Sequence, residues 1–274
     1  SFDILHGTHE PSVPSQSPST TFLQQLMVLM IQQMPFISFA DPSSAQSQAL
    51  DWLAADPYVL STQLSDDRLL QRFALVTAFY SFGLLAQGQT LEHTNECGWT
   101  WASIVCGSDS IVTALALRNS QLIGTIPPEL SALSQLRSLN LGSNQLEGTI
   151  PSELSAILAL EELALWTNQL TGTIPSELMN LSQLRNLMLS NNDLSGTIFP
   201  EMGNLANLWN MYLDGNNLSG IVPPELGNLG PNLGALALQD NNLSGTVPVG
   251  LCNISIQSFT VDCNEVTCSC CGCV

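Results

Sequence analysis

Leu136-Arg137-Ser138-Leu139-Asn140-Leu141-Gly142-Ser143-Asn144-Gln145-Leu146, followed by Glu147-Gly148-Thr149-Ile150-Pro151-Ser152-Glu153-Leu154, is the stretch that decides how this chain folds. Leu139 and Leu141 are two residues apart, so in an extended segment they share one face while Ser138 and Asn140 take the other. The same wording recurs from Leu115 to Asn264, and the leucine before each x-x-N is Leu117, Leu141, Leu165, Leu189, Leu213 and Leu238. These leucines stand 24 residues apart four times and then 25. A fixed period of this size is the signature of a solenoid. One such unit cannot bury its leucines alone, whereas stacked neighbours bury them together. A fully buried leucine contributes roughly 1.5–3 kcal/mol, so the leucine spine is predicted to dominate stability.

The rest of the unit has a physical reading position by position. Asn144 closes the strand, with counterparts Asn168, Asn192, Asn216, Asn241 and Asn264 and with Ser120 in the first unit. An amide both donates and accepts, so this column is predicted to satisfy backbone groups where the chain turns. Gly-x-Ile-Pro then sets a second bend, because glycine admits positive φ and proline fixes φ while removing a donor. Phe199 stands where one unit should have proline, and Leu229-Gly230-Pro231-Asn232-Leu233 carries the extra residue behind the spacing of 25. Only local adjustment is expected at either place.

Period and wording together resemble the plant-type leucine-rich repeat family. The resemblance covers about 150 of the 274 residues and implies an α/β fold. It describes a right-handed leucine-rich-repeat solenoid with a second short strand at L-x-G-x-I-P, a small α-helical N-terminal cap and disulfide-stapled ends. Six units match well, and Ile256 to Asn264 reads as a degenerate closing strand.

Composition limits the function classes. The chain has five Arg, no Lys and 23 acidic residues, a net charge of −18. That disfavours nucleic acid, whose phosphates need a basic surface, and equally disfavours anionic membranes. No EF-hand spacing supports bound calcium. The eight cysteines sit at the two ends and none lies between Val112 and Leu251, as expected for stapled caps in an oxidising compartment. The sequons at Asn180, Asn217, Asn242 and Asn253 agree with a secretory route and a glycoprotein. The most apolar run, Phe22 to Ala40, is broken by Gln24, Gln25, Gln32, Gln33 and Pro35. No transmembrane segment is expected in it, although a leader or an upstream anchor is compatible with a first residue other than Met.

Four regions follow. Residues 1–20 are a Ser/Pro-rich linker; His6, His9 and Glu10 lie there and are read as solvated rather than metal-binding. Residues 21–110 form the helical cap with a Cys-Trp capping motif, 111–251 the repeats, and 252–274 a Cys-rich C-terminal cap. Apolar periodicity predicts helices from Phe22 to Pro35, from Ser44 to Ala55, and from a Ser65 cap to about Leu85. A solenoid end requires such a cover. Cys97-Gly-Trp-Thr-Trp-Ala-Ser-Ile-Val-Cys106 resembles the N-terminal cap of plant-type repeats, with Ser103 in place of the usual glycine and Cys97 two residues further out. That resemblance implies a Cys97–Cys106 disulfide with Trp99 or Trp101 beneath it. The helices, this motif and the repeats in series also resemble the leucine-rich repeat proteins of diatoms and related algae. In the tail, Cys252, Cys263, Cys268, Cys270, Cys271 and Cys273 allow 15 pairings that sequence does not choose among. Their Cys-x-Cys-Cys-x-Cys run also resembles a metallothionein-like thiolate cluster; disulfides are the expectation and no metal site is assigned.

No enzyme is indicated and no cofactor is expected. There is no G-x-S-x-G, H-E-x-x-H, P-loop or G-x-G-x-x-G, no lysine for Schiff-base chemistry, and all three histidines lie outside the repeats. Glu129, Glu153, Glu177, Glu201 and Glu225 recur once per unit as part of the I-P-x-E-L wording, a structural column. The outward strand positions, by contrast, are free of the template. Trp166, Met188 and Tyr212 are large groups on the open face of three successive strands, with Asn140, Glu162, Asn210, Asp214, Gln239 and Asp240 around them. Such rings serve as binding anchors. The expectation is an extracellular or cell-surface recognition module with a protein, peptide or glycan ligand on its concave face. The alternatives are a rigid scaffold subunit of a larger assembly or wall matrix, docking through the apolar face of residues 22–37 and the Pro/Ser tail, and an inhibitor of a secreted enzyme.

Overall fold

The computed structural model describes residues 20–99, 102–262, 266–268 and 272–273. The linker histidines, Trp101, Cys263, Asn264, Cys270 and Cys271 lie outside the described residues, as does the side chain of Cys273. Within them the leucine pattern becomes a continuous spine: Leu139, Leu141, Leu163, Leu165, Leu187 and Leu189 are all fully buried. Nine strands form one sheet, of which Ser138–Asn140, Glu162–Ala164, Asn186–Met188, Asn210–Tyr212 and Ala235–Ala237 are the central run. All pairs are parallel except the first, Ile104–Cys106 against Val112–Ala116. Leu139 lies opposite both Leu115 and Leu163. A slip of one residue would turn every leucine outward, so this register is strongly specified. The extra residue of the sixth unit is absorbed before the strand: Gly230 takes a φ of 75°, and Leu236 still pairs with Met211.

The asparagine column holds successive turns together. Asn192 accepts from the Leu170 amide at 3.1 Å and donates to the carbonyls of Leu165 and Leu189 at 3.0 and 3.1 Å. In the first unit Ser120 does not substitute for it. The Ser120 and Leu122 amides instead donate to Asn144 Oδ1 of the following unit. Beyond the turn a second parallel sheet runs through Glu147–Gly148, Gln169–Thr173, Asp193–Thr197, Asn217–Ile221, Asn242–Thr246 and Val266–Thr267. Beyond the second sheet a short 3-10 turn closes each of five units, and after Pro248 a short α-helix, Val249–Cys252, takes its place. Phe199 adopts φ −80° and ψ 139°, close to the prolines at the same place in other units, so its substitution leaves the backbone path unchanged.

Among the described residues four α-helices precede the repeats: α1 (Thr20–Gln33), α2 (Ala45–Ala55), α3 (Pro57–Ser61) and α4 (Asp66–Ser81). Ser44 and Ser65 cap α2 and α4 by accepting from the Ser47 and Arg68 amides. Asp56 ends α2 and, through its carboxylate, also caps α3, a helix the sequence reading took for a stop. The last helix stops at Ser81 rather than Leu85, continuing as turns to Gly88. Cys97 and Cys106 are bonded, with their Cα atoms 5.9 Å apart. Cys252 and Cys268 each take part in a disulfide as well. Trp99 packs at 5.7 Å from Phe79 and 6.3 Å from Trp52, inside the helical core.

The helices change the surroundings of one template residue. Glu129 is fully buried, whereas Glu177, Glu201 and Glu225 are exposed. Gln46 of α2 donates to Glu129 Oε1 at 2.9 Å, and Oε2 has no hydrogen-bond partner among the described residues. Burial pushes this carboxyl above the ordinary glutamate range against the lowering effect of the Gln46 bond, and Glu153 raises it further. The folded state therefore favours the protonated form. Its contribution to stability is fully present below the unfolded pKa and is lost as pH rises through the folded one. Glu129→Gln is expected to flatten this loss and to stabilise the protein at pH 7 by about 1 kcal/mol, with no gain at pH 4. Urea unfolding of both proteins at the two pH values measures it.

Candidate functional site

The sheet's outward residues alternate with the buried leucines, as period two requires. Trp166, Met188 and Tyr212 are all part-exposed on the concave side of consecutive units, while Leu165, Leu189 and Leu213 beside them are fully buried. Pairing places Ala164 opposite Met188 and Met188 opposite Tyr212, so the thioether and the phenol share one row on neighbouring strands roughly 4.8 Å apart, while Trp166 stands two residues further along its unit, level with Ser190. Trp166 leans across the preceding strand. A Cβ built on Gly142 would stand 2.4 Å from Trp166 Nε1, so glycine at 142 is what lets the indole lie down there. The indole N–H has no acceptor among the described residues.

Polar groups around this patch are pre-positioned by one another. Asn210 donates to Asn186 Oδ1 at 2.7 Å, and Tyr212 Oη to Asn210 Oδ1 at 3.4 Å. Glu162 accepts from Ser138 at 3.1 Å, and Asp214 from Ser190 at 2.5 Å. Gln239 Oε1 accepts from Thr260 at 2.5 Å. Asn140 is turned onto its own strand, accepting from the Gly142 amide. Asp240 departs from the expected arrangement. It has a φ of 56° and sits in the turn after the strand, where its amide donates to Asp262. Ala164, Ala235 and Ser190 point outward yet are buried, since larger neighbours in the same rows cover small side chains. Asn180, Asn217, Asn242 and Asn253 are all exposed.

One conspicuous residue escaped the sequence reading. Trp209 is 50% exposed, at the position just before the strand, which the template leaves free. The L-x-N wording of Leu208-Trp209-Asn210 marks that place as solvent-facing, and this was the available signal. No group of three or more metal-ligating side chains occurs among the described residues. No described helix is long and apolar enough to cross a membrane.

Known proteins agree with this architecture. The Leucine Rich Repeat family model matches residues 135–157, 159–181, 183–205 and 207–229. The ectodomain of the receptor kinase GASSHO1/SCHENGEN3 from Arabidopsis thaliana, solved in complex with CASPARIAN STRIP INTEGRITY FACTOR 2, is 36% identical with a TM-score of 0.66. That match covers 72% of this chain and 24% of that one. A plant ice-binding protein is 28% identical over 69% of this chain and 61% of its own, with a TM-score of 0.62. The ectodomain of the Arabidopsis thaliana receptor kinase SOBIR1 is 30% identical, and the match covers 63% of this chain and 94% of that one with a TM-score of 0.54. Curated receptor-like kinases of the same plant match over 10% of their length or less. Sharing the repeat wording, the stacked parallel sheets and nearly the whole length of one such ectodomain, this chain belongs to the plant-type leucine-rich repeat proteins.

Proposed function

We propose that the chain is a non-enzymatic, extracytoplasmic recognition module that binds a protein or peptide on its concave sheet. The observation that carries this reading is that Trp166, Met188 and Tyr212 are all part-exposed on the outward side of three consecutive units whose inward side is the leucine spine. Rings with few rotatable bonds lose little entropy on binding and exclude water over a large area. The mutually bonded Asn186, Asn210 and Tyr212 supply oriented polar groups beside them. Similarity to receptor-kinase ectodomains, one of them solved in complex with CASPARIAN STRIP INTEGRITY FACTOR 2 and another with a peptide hormone and a co-receptor, supports the class of partner. The partner captured from the native source is the ligand to test. Trp166→Ala is expected to weaken it by about 2 kcal/mol, roughly 30-fold, by titration calorimetry. Unchanged affinity would remove the site from this face.

A second reading is favoured by a different face. In the second sheet, Thr171, Ser195, Ser219 and Ser244 each donate to the glycine carbonyl of the preceding unit at 3.2–3.5 Å. Beside them Thr125, Thr149, Thr173 and Thr197 each turn a methyl toward the next unit's glycine. Their hydroxyls have no protein partner among the described residues, leaving a rank of exposed threonines one unit apart. A similar solved structure is that of a plant ice-binding protein, and this rank is the candidate surface for such binding here. Thermal hysteresis in the wild type, lost in Thr149→Tyr with Thr173→Tyr, is the expected result; no effect of this chain on ice growth discards the reading.

A further inference from the structure

The start of each concave strand carries a second row of side chains, Arg137, Glu161, Arg185 and Trp209, on four consecutive units. Backbone pairing fixes their order. The amides of Glu161, Arg185 and Trp209 donate to the carbonyls of Arg137, Glu161 and Arg185 at 2.8, 2.8 and 2.7 Å. The four side chains therefore stand one strand spacing apart. Arg137 Nη1 donates to Glu161 Oε1 at 3.2 Å, and Arg185 Nε lies 3.6 Å from Glu161 Oε2. On its other side Arg185 lies over the Trp209 ring at 5.4 Å. All four are accessible: the side chains of Arg137 and Arg185 are 67% and 48% exposed.

This placement is unusual for the molecule. The net charge is −18 with only five cations, and Arg68 and Arg72 are already spent on Glu96 and Asp56 inside the helical core. Two of the remaining three arginines are held in one row beside the candidate site. Glu161 neutralises one charge and occupies one edge of each guanidinium, so donors on both remain free for carboxylates. From this we infer that the row is a docking strip for an acidic segment of a protein or peptide partner, with carboxylates on Arg137 and Arg185 and an apolar side chain on Trp209. The backbones of Arg137 and Arg185 stand two strand spacings apart, roughly 9–10 Å, with the Glu161 carboxylate between their guanidinium groups, so the strip takes two separate carboxylates, one on the free side of each arginine. This deepens the concave-face reading and rests on it only for the partner being a polypeptide.

Labelled oligo-glutamate ending in tryptophan is the probe, with the intact protein, at low ionic strength. The overall charge repels it, so saturable binding requires a local cationic site. Arg137→Glu with Arg185→Glu is expected to weaken that binding at least about tenfold and Trp209→Ala about fivefold, with thermal unfolding unchanged. Absence of binding, or binding that neither variant moves, overturns the inference. Trp166→Ala separates the two sites. If it weakens the native partner while the strip variants do not, the strip is wrong and the concave site stands; the reverse pattern retains the strip and removes the concave site.

Discussion

Replacing Arg72 by methionine is expected to destabilise the helical segment by about 3–5 kcal/mol, the usual effect of removing one member of a buried ion cluster. Arg72 of α4 is fully buried, and so are both its carboxylate partners. Its Nη2 lies 2.6 Å from Asp56, its Nη1 donates to Glu96 at 2.9 Å, and the Thr94 and Glu92 carbonyls take the remaining donors. The rings of Trp52, Tyr58 and Trp99 surround the guanidinium at 4.9–5.0 Å. Glu96 would keep Arg68 and Gln71. Asp56 would be left with the Tyr58 amide and His93, too little for a buried carboxylate. Lysine should not rescue, since a single ammonium does not reproduce a planar fork stacked among rings. Hydrogen exchange should show α2 and α4 losing protection while the central repeats keep theirs. A loss below about 1 kcal/mol would mean that the cluster is not what holds the helices together.

Asn192→Ala is the second large effect, about 3–4 kcal/mol from three buried backbone groups that lose their partner at once. The Leu170 amide and the Leu165 and Leu189 carbonyls belong to two different units, so the change loosens a joint rather than a single turn. Aspartate should restore only the bond from Leu170 N–H, because a carboxylate cannot donate to carbonyls. Asn207→Ala, on the exposed surface, is the control, with an effect within about 0.5 kcal/mol. Urea midpoints at constant slope decide the comparison. Equal midpoints for wild type and Asn192→Ala would show that water serves those groups as well as the amide does.

Much of the solenoid was legible because its determinants are local and periodic. Leu139 and Leu141 announce their face by spacing alone, and the extra residue at Gly230 is absorbed in a turn, as a one-residue insertion between strands should be. The disulfide implied for Cys97 and Cys106 forms. Legibility failed where meaning depends on what arrives from elsewhere in the chain. Glu129 has the same wording as Glu177 and Glu225, and the docking of the helices, α4 on its turn and Gln46 of α2 on its carboxyl, sets it apart. Asp56 reads as a helix stop until Arg72, 16 residues on, turns it into half of an ion cluster. Trp209 occupies a position the template leaves open, so no repeat rule singled it out.

The sequence by itself determined the period, the inward leucines, the turn-closing asparagines and the rows that remain free for binding, because each follows from side-chain alternation and backbone hydrogen bonding within one unit. Only the tertiary structure decided which outward residues share a surface: Trp166 lying across Gly142, Arg185 over Trp209, and the hydroxyl rank of the second sheet. Those neighbours are about 24 residues apart in the chain, and stacking, not local preference, brings them to within one strand spacing.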